Sequence, residues 1–252
     1  VGLMADLGLV VVGLFLPLFP FSIAFNAILE RIGQPLPRSA LLLVWPQIGL
    51  WVLSAHGAAI PSWFVLWALA TALLYAFRLL AMREMGRWIG YFATSAWTLL
   101  WLAAYAGLPA SHLWTFAAGF SVPLVFLTLQ AGMLERHFGA AYVGLYGGLA
   151  QRIPRFSGVL VLSLLATIAT PLFPTFFAML HTLIVSQPLP AVGLAVIWLI
   201  WSWAAARLLQ GLIVGPAEPS PELDLPIAAT WGYAAGLAGL VVAGLILTGS
   251  RL

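Results

Sequence analysis

Apolar runs separated by short polar connections fill this chain from end to end. A helix needs about 20 mostly apolar residues to cross a bilayer, and the pattern predicts eight such spans. They cover Gly2–Phe25, Leu41–Ala55, Trp63–Met82, Trp88–Leu108, Leu113–Met133, Val159–Val185, Leu189–Val214 and Ile227–Thr248. The second is short and carries Pro46, so it is expected to kink or to borrow residues from its flanks. Two runs carry the same interruption: Pro17-Leu-Phe-Pro20 in the first and Pro171-Leu-Phe-Pro174 in the sixth. Proline has no amide hydrogen and clashes with the preceding turn, so a pair of prolines frees backbone groups inside hydrocarbon. Such breaks survive only where protein or a wet cavity satisfies those groups. A break repeated in two halves of a chain points to a site between inverted repeats.

The polar connections fall into two sets. Asn26–Ala40 carries Arg31 and Arg38, Arg83–Arg87 carries an arginine at each end, and Glu135–Gly158 carries Arg136, Arg152 and Arg155. The intervening connections His56–Ser62, Pro109–His112 and Ser186–Pro190 have none. The positive-inside rule makes the first set cytoplasmic and puts both termini on the outer or periplasmic side, as in a bacterial-type inner membrane. Gly215–Pro226 holds four prolines with Glu218, Glu222 and Asp224, and reads as an extended acidic cytoplasmic linker to the last helix.

Composition agrees with an all-α integral membrane protein forming one transmembrane domain. The 252 residues are 63% hydrophobic and 7% charged, with a mean hydropathy of +1.07, whereas soluble domains carry about 25% charged residues. Cysteine is absent, which removes disulfides and thiolate metal sites. Lysine is absent too: all 10 basic residues are arginine. They give a pI near 9.7 from membrane edges, with no implication of nucleic acid. The first run has no basic n-region and no cleavage pattern, so it does not read as a signal peptide.

Few polar residues lie within the runs. Arg78 and Arg207 sit near span ends, where snorkelling to the interface explains them. Glu84, beside Arg83 and Arg87, reads as a surface ion pair. His181 follows the second break and could carry protons or simply bond a helix-end carbonyl. His56, His112 and His137 lie in or next to connections without helical pairing, so neither haem nor metal is expected. Gln47 and Gln130 could line a file of water or hydrogen-bond between helices. Ser22, Asn26 and Thr175 flank the breaks and are expected to satisfy freed backbone groups. Trp63, Trp67, Trp88 and Trp114 suit an interfacial belt, while Trp198, Trp201 and Trp203 are expected to face lipid or a partner. Gly232, Gly236, Gly239 and Gly244 give the last helix a small-residue surface for close packing.

The string Leu16-Pro-Leu-Phe-Pro-Phe21, then Pro35 and Pro37, then Ser39-Ala-Leu-Leu-Leu43, resembles the antiporter-like subunits of the complex I membrane arm and of Mrp cation/proton antiporters. Arg87-Trp-Ile-Gly-Tyr91, Leu134-Glu-Arg136 and Gly147-Gly-Leu-Ala-Gln-Arg-Ile-Pro154 follow in that family's order. The resemblance implies fourteen helices with two inverted five-helix repeats, of which this chain covers helices seven to fourteen. Residues 1–55 would then be a remnant of the first repeat, 63–214 the second, 215–226 the linker and 227–248 the last helix. It also implies charged relay residues. Aligned on the motifs, those positions hold Phe15, Gln47, Gly119 and Met179, all neutral.

The expected function is a relay-depleted structural or docking subunit of a multisubunit proton- or ion-coupled complex. Its expected partners are other membrane subunits, the lipid bilayer and a soluble cytoplasmic catalytic subunit, with no cofactor of its own. The alternative is an active proton or cation pathway through water, Gln47, Gln130, Ser22, Thr175 and His181. An enzyme within the membrane finds no support, because no nucleophile–base pair or carboxylate pair is present.

Overall fold

The computed structural model describes residues 2–57, 59–144, 147–215 and 224–249. Among them the chain is helical, without a strand; one isolated bridge joins Glu84 and Tyr142. In order the helices are α1 (Gly2–Phe15), α2 (Ser22–Arg31), α3 (Pro35–His56), α4 (Ser62–Ala81), α5 (Met85–Tyr105), α6 (Ala110–Phe138), α7 (Leu149–Arg152), α8 (Pro154–Thr167), α9 (Pro174–Val185), α10 (Pro188–Ile213) and α11 (Ile227–Gly249). Proline opens α3, α8, α9 and α10, where a missing amide hydrogen costs no helical bond and φ is already set.

Among the described residues, five helices are long and apolar enough to cross a membrane: α3, α4, α6, α10 and residues 227–246 of α11. The helices α8 and α9 are shorter apolar segments. Each interrupted run is two helices, α1 with α2 and α8 with α9, joined through residues 16–21 and 168–173.

Several expected boundaries change. The short second run extends back to Pro35, giving a 22-residue helix that carries Pro46 buried inside it. The connection expected from Glu135 shrinks, because α6 runs on to Phe138, α7 occupies Leu149–Arg152 and α8 begins at Pro154. Residues 216–223 of the acidic linker lie outside the described residues. Its far end is anchored: Asp224 accepts from the Arg155 and Phe156 amides at 2.9 and 3.1 Å, and Arg155 Nη1 donates to the Leu225 carbonyl at 3.2 Å. A carboxylate at a helix start satisfies amides that lack intrahelical partners and complements the dipole.

Helix α5 is the centre of the bundle, buried almost without interruption from Trp88 to Ala103. Apolar or small side chains all round are what a helix enclosed on every side requires. It packs on α4, α6, α2 and α9, while α3 joins α1 to α6 and α11 lies against α8 and α9. Close approach of α2 depends on Gly90, whose missing Cβ would lie 2.7 Å from Asn26 Oδ1. Ion pairs gather at one end, where Arg87 meets Glu84 at 3.1 Å and Glu30 at 3.4 Å, and Arg38 meets Glu135 at 3.6 Å. The exposed Arg87 pairs add little stability, whereas the Arg38 side chain is only 14% exposed.

Candidate functional site at the two helix interruptions

Helix α1 ends at Phe15, and carbonyls at and beyond that end find side-chain donors from distant helices. Trp45 Nε1 donates to Leu14 O at 3.2 Å, Trp101 Nε1 to Leu16 O at 3.0 Å and Trp67 Nε1 to Phe19 O at 2.7 Å. The Phe19 amide donates to Thr71 Oγ1 at 3.2 Å. Indole is suited to this task because it couples one donor to a large apolar body. The Phe19–Pro20 peptide is cis.

The second interruption is treated the same way. Thr175 Oγ1 donates to Ala166 O at 2.6 Å, Thr170 Oγ1 to Leu165 O at 2.8 Å and Trp198 Nε1 to Ile168 O at 3.2 Å. Here Ala169 and Leu172 adopt left-handed φ values of 59° and 84°. Such conformations cost about 1–3 kcal/mol each for residues other than glycine. Helix α11 covers this turn: a Cβ on Gly244 would lie 2.5 Å from Leu172 O and 3.2 Å from Pro174 N.

Ser22 Oγ and Tyr75 Oη share a hydrogen bond of 2.8 Å. Asn26 Nδ2 donates to Ser22 O and to Thr94 Oγ1, both at 2.9 Å. Gln130 is buried and donates to Ser163 Oγ at 2.7 Å, leaving its Oε1 without a partner. The Gln47 Oε1 is also buried and unpartnered, beside a cavity of about 290 Å3 that Trp51 and Trp114 help to line. The two glutamines sit at different levels of the α3–α6 pair, since Pro35 rather than Gln47 meets Gly132, two residues beyond Gln130.

Of the four positions singled out by the resemblance, Phe15, Gly119 and Met179 are packed, whereas Gln47 borders the cavity just described. Phe15 lies against Trp45, ring centroids 4.9 Å apart, and Trp45 against Phe25 at 5.5 Å. Met179 is fully buried. A Cβ on Gly119 would already lie 3.2 Å from Pro174 Cβ, so the second break itself occupies the space above that glycine. His181 has moved into company: its ring centroid is 6.0 Å from His112 and 5.8 Å from Phe116. His112 stands in the first turn of α6, which the sequence reading placed at a connection. Ser22, Gln130 and Thr175 hydrogen-bond to different partners: Tyr75, Ser163 and Ala166. Among the described residues, no three His, Asp or Glu side chains converge.

Tryptophan is where sequence reasoning missed most. Trp88 and Trp201 are fully buried, and Trp201 Nε1 donates to Ser95 Oγ at 3.0 Å. Neither belongs to a belt or a lipid face, whereas Trp63 and Trp203 are 57% and 65% exposed. The available signal was the position of Trp45, Trp101 and Trp198 deep within apolar runs, where an indole N–H must find an acceptor.

No protein-family profile and no curated protein sequence matches the chain. Solved structures do. A chain of respiratory complex I from Thermus thermophilus with bound NADH is similar at a TM-score of 0.79 and 21% identity, over 92% of this chain and 52% of that one. The membrane-bound sulfane sulfur reductase, an archaeal respiratory membrane complex, has a chain similar at 0.80 and 16% identity, over 94% and 51%. The Mrp complex from Dietzia sp. DQ12-45-1b has one at 0.83 and 14% identity, over 97% and 56%. The chain therefore spans about half the length of each. At these identities the likeness is one of fold. With the five long apolar helices, it makes this a multi-pass membrane protein.

Proposed function

We propose that this chain is a relay-depleted antiporter-like subunit, related to the C-terminal half of such proteins, that serves as a structural and docking component of a multisubunit ion-coupled membrane complex. The observation that carries this reading is the Gly119–Pro174 contact: where the resemblance asks for a titratable side chain, the second break fills the volume. Phe15 against Trp45 and the buried Met179 point the same way. A pump needs groups whose proton affinity alternates, and those positions hold none. The chain crosses the membrane eight times, α1–α2 and α8–α9 each acting as one broken span, with both termini on the outer side of a bacterial-type inner membrane. Its partners are other membrane subunits, with a soluble catalytic subunit on the arginine-bearing side.

A second reading, an active proton or cation path, draws support from the unpartnered Oε1 atoms of Gln47 and Gln130 and from the His112–His181 approach. Buried amide oxygens of this kind suit water. Proton flux into liposomes containing the purified chain separates the two. The scaffold reading expects flux at the level of empty liposomes and co-purification of other membrane chains in mild detergent. Flux abolished by His181→Ala or Gln47→Leu overturns it, and so does a chain that purifies alone and stable.

A further inference from the structure

A cavity of about 470 Å3 opens where the α4–α5 connection, the segment after α6 and helix α10 meet. Its floor is the seam between α4 and α10, made by Leu79, Leu80, Ala204 and Leu208, and Arg83 and Arg207 line it too. One wall is strapped in place: the Val143 amide donates to Arg83 O at 2.7 Å and the Gly144 amide to Gly211 O at 3.2 Å.

Among the described residues, the charge in this cavity is unbalanced. Arg38 and Arg87 are matched by glutamates, and Arg78 lies over the Tyr75 and Tyr91 rings at 5.5 and 5.3 Å. Among the described residues, Arg83 and Arg207 form no ion pair and no acidic side chain lines the cavity. The neighbouring Glu84 is engaged by Arg87. Two guanidinium groups thus border an apolar floor at the edge of the bundle. From Arg207 an apolar ridge leads along the same face of α10 through Trp203 and Leu199, which are 65% and 72% exposed.

We propose that this cavity binds the phosphate of an anionic membrane lipid, with Arg83 and Arg207 holding the phosphate oxygens and an acyl chain lying along Trp203 and Leu199. The guanidinium fork matches phosphate geometry with two parallel hydrogen bonds. Basic pockets between membrane helices are physically suited to anionic headgroups. Free inorganic phosphate shares the headgroup chemistry, but the apolar floor and the exposed ridge have a use only for a lipid. The site stands whether or not the chain conducts ions.

The test is a lipid titration of the purified full chain in detergent, read by native mass spectrometry, with dioleoylphosphatidylglycerol against dioleoylphosphatidylcholine. The wild-type chain is expected to prefer the anionic lipid. Arg83→Gln and Arg207→Gln are each expected to weaken that lipid about fivefold and to leave the zwitterionic one unchanged, and the double variant to lose the preference. Arg78→Gln, outside the cavity, is expected to keep it. Equal binding of both lipids by the wild type overturns the site, as does a preference that survives the double variant. An equal loss in Arg78→Gln shows general surface charge instead, and displacement of the lipid by inorganic phosphate at matched ionic strength shows a free-anion site; either overturns the proposal. Should the double variant fail to fold, the single variants decide: no weakening in either one refutes it.

Discussion

Gly119 and Pro174 touch where α6 crosses the start of α9: a Cβ on the glycine would lie 3.2 Å from the proline Cβ and 3.6 Å from its carbonyl carbon. That distance leaves room for a methyl group only after a shift of a few tenths of an ångström, and none for a ring. Gly119→Ala is expected to cost little. Gly119→His, which would supply an imidazole at the aligned relay position, is expected to lower stability by about 1–3 kcal/mol through overpacking and to restore no proton flux. Thermal unfolding in detergent and liposome flux check the two halves of this expectation.

Trp101 donates to the Leu16 carbonyl inside the bundle. Trp101→Phe leaves that oxygen buried without a donor, a penalty of about 1–3 kcal/mol to which the vacated indole volume adds. Trp203→Phe, on an exposed position, is expected to stay within about 0.5 kcal/mol of the wild type. A melting comparison of the two variants tests whether the indoles at the breaks are structural donors. Equal melting temperatures would refute it.

Asp224 caps α8 from the end of the linker. Asp224→Ala is expected to cost about 0.5–2 kcal/mol, felt as faster amide hydrogen exchange at Arg155 and Phe156. Asp224→Asn retains an acceptor oxygen and should lose less. Unchanged exchange at both amides in the alanine variant would show that the cap is dispensable.

Gly244 lets α11 approach the carbonyl of Leu172. Gly244→Val is expected to push α11 off the second turn. Because the chain has no cysteine, Leu240→Cys, a buried position on α11, reports this directly. Its maleimide labelling should be slow in the parent and faster with Gly244→Val. The same rate in both would mean that α11 docks without that contact.

Much of this architecture is written locally. Pro35, Pro154, Pro174 and Pro188 begin helices because a fixed φ and a missing donor suit that position. Thr175 bonds the Ala166 carbonyl beside its break, as its position suggests, whereas Ser22 turns to the Tyr75 hydroxyl and Asn26 to the Ser22 carbonyl and Thr94. Boundaries such as the start of α3 were less legible, because Arg38 and Ser39 look like loop residues until their burial is known.

The apolar runs, the arginine-bearing connections and the two proline interruptions belong to the sequence alone, because they arise from hydropathy and covalent geometry within a few residues. The partners of the broken backbone were decided only by the tertiary structure. Trp101 and Leu16 lie 85 positions apart, Trp201 and Ser95 106 apart, and nothing local selects one indole over another. The same holds for Pro174 filling the space above Gly119 and for Arg83 meeting Arg207 across one cavity. Packing joins distant segments at ångström distances, and that proximity decides whether a neutral position is an empty slot, a filled one or a binding site.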